Sequence, residues 1–242
     1  MIHVFETPDD LITATADFVV AQSKKVIQSH GRFSLVLSGG SSPKKLHELL
    51  TTDQYRNQIE WTKVFFFFGD ERYVPADHPD SNYLMAKNTL FDPLKINAGQ
   101  IFKMDTTLSP AASAQAYERD ILAFFSDKPI RFDLIILGLG DDSHTASLFP
   151  HTSVLREKDA LVKSLYIEKV KMDRITLTAP LINQSHQIAF LVYGAGKADA
   201  IHQVIEGATN IEDHPAQIID PKAGDLHWFI DKAAATKLKK SI

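Results

Sequence analysis

The run Gly138-Leu139-Gly140-Asp141-Asp142-Ser143-His144 sets a carboxylate and an imidazole two residues apart, directly beyond an apolar segment. An imidazole titrates near neutrality, so it can take a proton from water and hand it to a leaving group, while a carboxylate beside it fixes its orientation. His144 is therefore the candidate general base or acid, and Asp142 its support. Three other chemistries fit the run less well. Gly138-x-Gly140-x-x-Ser143 is one residue short of a dinucleotide fingerprint, and the ribose-binding acid expected about 20 residues on would be Asp159, inside the polar run Arg156-Glu157-Lys158-Asp159. A metal would have to use His144, Asp142 and His151 without the H-E-x-x-H spacing, so no metal site is expected. Ser147 as a nucleophile lacks the G-x-S-x-G elbow, and its position reads as a helix surface.

The other chemically suggestive segments look made to hold an anion. In Leu37-Ser38-Gly39-Gly40-Ser41-Ser42-Pro43, glycines let backbone N–H groups come close to a phosphate. Ser41 and Ser42 add hydroxyls, and a helix starting at Pro43 aims its free amides and positive dipole end at the same spot. The same residues also read as a plain turn with Ser42 as helix cap, and the P-loop spacing is absent. In Phe68-Gly69-Asp70-Glu71-Arg72, the arginine suits a phosphate or sugar hydroxyl, and the acids suit a polyol or the arginine itself; the alternative is a solvated turn. In Val192-Tyr193-Gly194-Ala195-Gly196-Lys197-Ala198, Lys197 opposes the dipole of the helix it starts, which is unfavourable unless an anion sits there. Arg174 is a fourth candidate cation, or an ordinary strand-edge residue.

Strands must deliver these segments. Phe33 to Leu37, Val64 to Phe68 and Phe132 to Leu137 are too short and too uniformly apolar for surface helices. With Arg174 to Thr178, Gln187 to Tyr193 and Trp228 to Ile230 they suggest six or seven strands. Thr7 and Pro8 read as N-cap and first position of a helix to Gln28, with Ile12, Val19 and Val26 on one face. Further helices are expected from Pro43, from Asn82 to Phe91, from Ala111 to Phe125 and from Lys197 to Glu206. Strand–helix alternation predicts an α/β fold with a mostly parallel sheet flanked by helices and a ligand at its carboxyl edge. No repeat, low-complexity tract or linker interrupts it, so a single domain over 1–242 is expected.

Composition sets the limits. The chain has 242 residues, 44% of them hydrophobic, which suits one large core. Thirty acidic against 26 basic residues give a net charge of −4, which argues against a general nucleic-acid surface but permits a local cationic pocket. The absence of cysteine excludes disulfides and thiolate chemistry. Met1-Ile2-His3-Val4-Phe5-Glu6 has neither the basic region nor the apolar core of a signal peptide, and no stretch approaches the ~18 apolar residues of a membrane span. A cytoplasmic location without membrane partners is the expectation.

Together, Leu37 to Pro43, Gly69-Asp70-Glu71-Arg72, Ser81-Asn82, Gly138 to Pro150, Arg174-Ile175-Thr176-Leu177-Thr178, Gly196-Lys197-Ala198 and Trp228-Phe229-Ile230-Asp231 resemble, in order and spacing, the 6-phosphogluconolactonases. That family lies within the wider group that includes the glucosamine-6-phosphate deaminases. The resemblance runs along the whole chain. It implies a three-layer, Rossmann-like fold and hydrolysis of 6-phospho-D-glucono-1,5-lactone to 6-phosphogluconate in the pentose phosphate pathway, with no metal or other cofactor. It further implies that Gly39, Gly40, Ser41 and Ser42 hold the phosphate with Arg72, Arg174 and Lys197, with Asp70 also binding substrate. His144 would activate water and Asp142 would orient it. A monomer or weak homodimer is expected. Ser143 and His151 stand where the family more often has glycine, so the loop must take a conformation that serine tolerates. Two alternatives remain: a deaminase-isomerase using the same phosphate site and Asp-x-His pair, and a sugar-phosphate sensor without turnover. Thr145-Ala146-Ser147-Leu148-Phe149-Pro150 looks like the lactonase continuation, and the expected helices leave no DNA-binding module.

Overall fold

The computed structural model describes residues 1–126 and 128–239. Six strands form a parallel sheet in the spatial order β1 (Ile2–Phe5), β9 (Asp225–Asp231), β8 (Gln187–Val192), β5 (Leu134–Leu137), β2 (Phe33–Leu37) and β3 (Val64–Phe68). The α/β class and the parallel sheet agree with the expectation. β2 and β5 are buried along their whole length and β8 along nearly all of it, which is why each reads as an unbroken apolar run.

A second sheet was not anticipated. β4 (Asp70–Arg72), β7 (Met172–Leu177) and β6 (Val162–Ile167) pair antiparallel in the order β4-β7-β6. The strand expected at Arg174 to Thr178 therefore belongs to this small sheet, and Arg174 lies opposite Arg72 in its ladder. β3 turns into β4 through Gly69 alone. Tyr117 secures that corner: its hydroxyl accepts from the Phe68 amide (2.7 Å) and donates to the Phe68 carbonyl (3.2 Å).

Helices flank the sheets. Thr7 caps α1 (Pro8–His30) by accepting from the Asp10 amide at 3.1 Å, and the helix runs two residues past the expected Gln28. α2 (Ser41–Leu50) packs against α1, and α3 (Asn82–Ala86) continues as a π-helical turn to Phe91. α4 (Pro110–Phe125) covers β6 and β7. α5 (Ala198–Glu206) follows β8, and α6 (Lys232–Ala235) follows β9.

Candidate functional site

β8, β5, β2 and β3 lie side by side and release the candidate segments at their carboxyl ends. From β2 the chain moves outward to β3, whereas from β5 it moves the other way to β8, so the β2–β5 crevice is a switch point of the kind where such sheets bind ligands. A cavity of about 380 Å³ opens there. It is lined by Gly39 to Ser42, Asp70, Arg72, His144, Arg174 and Lys197, the whole predicted set apart from Asp142.

Asp142 stands behind the imidazole. Its Oδ1 accepts from His144 Nδ1 at 2.5 Å, and its Oδ2 accepts from Lys169 Nζ at 2.6 Å. Burial by itself would raise the Asp142 carboxyl, but the hydrogen bonds from His144 and Lys169 override it and hold the group well below the usual carboxylate range. An ionised carboxylate only accepts, so Nδ1 carries the ring proton and Nε2 is the basic nitrogen. Phe149 stacks on the ring at 3.9 Å between centroids and fixes its plane. Gly140 makes this possible: a Cβ there would lie 2.1 Å from His144 Nδ1 and 2.7 Å from Asp142 Oδ1.

The opposite wall is cationic. Arg72 and Arg174 face one another across the β4–β7 ladder, and both Nε–H groups are buried without a hydrogen-bond partner among the described residues. A buried, unpaired donor costs about 1–3 kcal/mol, which an oxyanion reaching both groups would recover. Burial lowers the Arg174 pKa, as does the Arg72 charge, against the pull of Asp70 and Glu71. α2 starts beside them at Gly40, whose φ of 105° needs glycine. No side chain caps its first turn, so Ser42 is not the cap that the sequence offered, and the first-turn amides have no side-chain partner.

Lys197 ends the turn that opens α5, and its Nζ donates to Asp141 Oδ1 at 2.5 Å. The anion that its placement called for is supplied, in this structure, by the carboxylate next to Asp142.

The acids after β3 divide their work, and neither sits in a solvated turn. Asp70 lines the cavity and accepts from Ser147 Oγ at 2.7 Å and Asn82 Nδ2 at 3.3 Å. Glu71 faces away from it and accepts from the amides of Arg72, Asn82 and Tyr83 and from Ser81 Oγ, closing the start of α3. Burial pushes its pKa up against those bonds. Glu71 is thus committed to the helix, not to a polyol.

Ser147 corrects a second expectation. It is fully buried in a loop, with its amide bonded to Thr176 Oγ1 and its hydroxyl to Asp70, so it ties the loop that carries Asp142 and His144 to the small sheet. Sequence reasoning missed Lys169 and gave Asn82 no place in the site. Lys169 carried no signal, lying between Pro150 and Lys171 in a stretch without clear periodicity.

Residues 6–228 match the family model described as glucosamine-6-phosphate isomerases/6-phosphogluconolactonase. The chain belongs to this family. Among its relatives, the 6-phosphogluconolactonase of Nostoc sp. is 39% identical over 241 residues, covering 98% of each chain. That of Synechocystis sp. is 40% identical over 225 residues, covering 91% of each. The solved 6-phosphogluconolactonase from Trypanosoma cruzi superposes with a TM-score of 0.88 at 29% identity, covering 99% of this chain and 97% of that one. Ser143 and His151, where the resemblance puts glycine more often, fall on left-handed backbone, with φ of 63° and 60°. Such a residue costs about 1–2 kcal/mol relative to glycine. Ser143 is held there by its carbonyl, which accepts from the Ala216 amide at 2.9 Å, and by its hydroxyl, 3.3 Å from His214 Nδ1. His151 Nε2 lies 3.1 Å from Asp213.

Proposed function

We propose that this chain hydrolyses 6-phospho-D-glucono-1,5-lactone to 6-phosphogluconate, with His144 as general base. The observation that carries this reading is the shared cavity: a carboxylate-oriented imidazole on one side and two arginines with unpaired Nε–H groups on the other. The relatives' names favour the lactone over other phosphosugars.

The 6-phosphate is held by Arg72, Arg174, Lys197 and the amides of Gly39 to Ser42, which fixes C1 near the imidazole. His144 Nε2 takes a proton from water as its oxygen bonds to C1, and the carbonyl electrons move onto the oxyanion. Collapse breaks the bond from C1 to the ring oxygen, which receives the proton from His144. Asp142 keeps the imidazole in the tautomer this requires and offsets its transient positive charge.

His144→Asn should lower kcat by about 10²–10⁴-fold, the usual share of a general base, while inhibition by the product 6-phosphogluconate stays unchanged. The assay follows lactone disappearance, corrected for spontaneous hydrolysis. An unchanged kcat removes His144 from the role, and ammonia release from glucosamine 6-phosphate would assign the chain to the other half of its family.

A further inference from the structure

We propose that Lys169 is a positioning residue for the catalytic base, acting through Asp142; the inference rests on the reading of His144 as that base. β6 and β7 form a hairpin whose pairing runs to Ile167 opposite Met172, leaving only Glu168 to Lys171 to turn the chain. The Lys171 amide closes this turn on the Glu168 carbonyl at 3.2 Å, and Lys171 adopts a left-handed φ of 47°. A turn this constrained carries Lys169 over the Asp142 carboxylate, and Lys169 and Val170 both line the cavity.

The consequence is geometric. A carboxylate with one anchored oxygen can rotate about its last bond and swing the other out of line. Here Oδ1 is held by His144 Nδ1 and, at 3.3 Å, by the His144 amide, while Oδ2 has Lys169 Nζ as its donor. The carboxylate plane is thereby locked, and with it the ring plane that Phe149 supports from the face. The same hairpin places Arg174 in β7, so one element connects the phosphate wall to the base.

The consequence is also electrostatic. The charged groups around the imidazole are Asp142 and Asp141 on its own loop, Lys169 on the hairpin, Asp70, Arg72 and Arg174 on the small sheet, and Lys197 after β8. Only Asp142 and Lys169 are bonded in series with it. Removing the ammonium takes away a cation and frees more of the Asp142 charge to hold a proton on the ring. Both changes favour the protonated imidazole, so the acid limb of kcat/KM must move to higher pH.

The test uses Lys169→Met, Lys169→Arg and His144→Asn in the full chain. Lys169→Met should lower kcat about tenfold, the low end of what outer partners of an oriented histidine contribute. Its acid limb should move to higher pH. KM and inhibition by inorganic phosphate should stay within about twofold, and Lys169→Arg should restore both kcat and the limb. The Lys169 side chain is 65% exposed, so a change in Tm alone with an unmoved limb would mark a merely structural role and overturn the inference. A raised KM with normal kcat would mark a substrate contact and overturn it equally. If His144→Asn is inactive while Lys169→Met behaves as wild type, only the positioning role fails; if His144→Asn keeps its kcat, the base reading fails and this inference with it.

Discussion

Lys197 and Asp141 set a condition on binding. The ammonium assigned to the phosphate is already engaged by Asp141, a side chain that is itself 79% exposed. If Lys197 holds the phosphate as proposed, the phosphate displaces that carboxylate, and an exposed ion pair offers about 0.2–1 kcal/mol of resistance. Asp141→Asn should therefore lower KM by about 1.4- to fivefold, in line with that energy. Initial rates against lactone concentration check this; a KM that holds or rises would show that Asp141 does not compete. At this scale, the site was readable wherever a residue's placement conflicted with its local structure. Lys197 at a helix start, three charges after an apolar strand and a glycine pair before a helix each announced a ligand or partner. Lys169 made no such conflict, because a lysine in a hairpin turn is unremarkable until the fold sets it beside Asp142. Ser147 was misread for a different reason. Thr145-Ala146-Ser147-Leu148 has helical composition, but Ala146 takes a φ of 47° and the Ser147 amide goes to Thr176, so no helix forms.

Legibility at the level of elements follows burial. β2, β3, β5 and β8 are covered on both faces, and their apolar runs announced them. β4 is made of three charged residues, β6 is buried only at its two ends with no alternation between them, and β1 is a four-residue edge strand, so none gave a clear period. Those hidden elements matter, because β4 and the β6–β7 hairpin carry Arg72, Lys169 and Arg174. Elements also hold one another in place through single side chains. Asp231 at the end of β9 accepts from the Ala234 amide at 2.8 Å, capping α6, and from the Gly194 amide at 3.0 Å, pinning the turn that leads to Lys197. Asp231→Ala should cost about 1–2 kcal/mol in urea unfolding, as lost helix caps do. It should also raise KM with little change in kcat, because the turn it frees positions the proposed phosphate ligand Lys197 and not the proposed base. A change in stability with an unaltered KM would show that the turn is fixed by other contacts.

The molecule as a whole should lose stability in mild acid through a group remote from the chemistry. His47 on α2 is fully buried, and burial holds its pKa down to about 4 from 6.5. Thr89 gives its hydroxyl hydrogen to the Met85 carbonyl at 2.8 Å, so it can only accept from His47 Nδ1, 3.2 Å away, and the other ring nitrogen has no proton in the neutral form. Because the folded pKa lies below the unfolded one, the unfolded chain takes a proton that the folded chain refuses. Stability is complete above the unfolded value and falls as pH drops from 6.5 towards 4. Between pH 7 and pH 5 the loss from this site is about 2 kcal/mol. His227, lowered to about 4 by burial, by His3 and by the amino terminus, acts in the same direction. Urea unfolding at the two pH values, followed by the fluorescence of Trp61 and Trp228, measures the total, and His47→Gln should remove about one proton from its slope. A His47→Gln curve parallel to wild type would show that His47 titrates alike in both states. The acid loss bears on the proposed function because His47 lies on α2, the helix whose uncapped first turn is proposed to hold the phosphate.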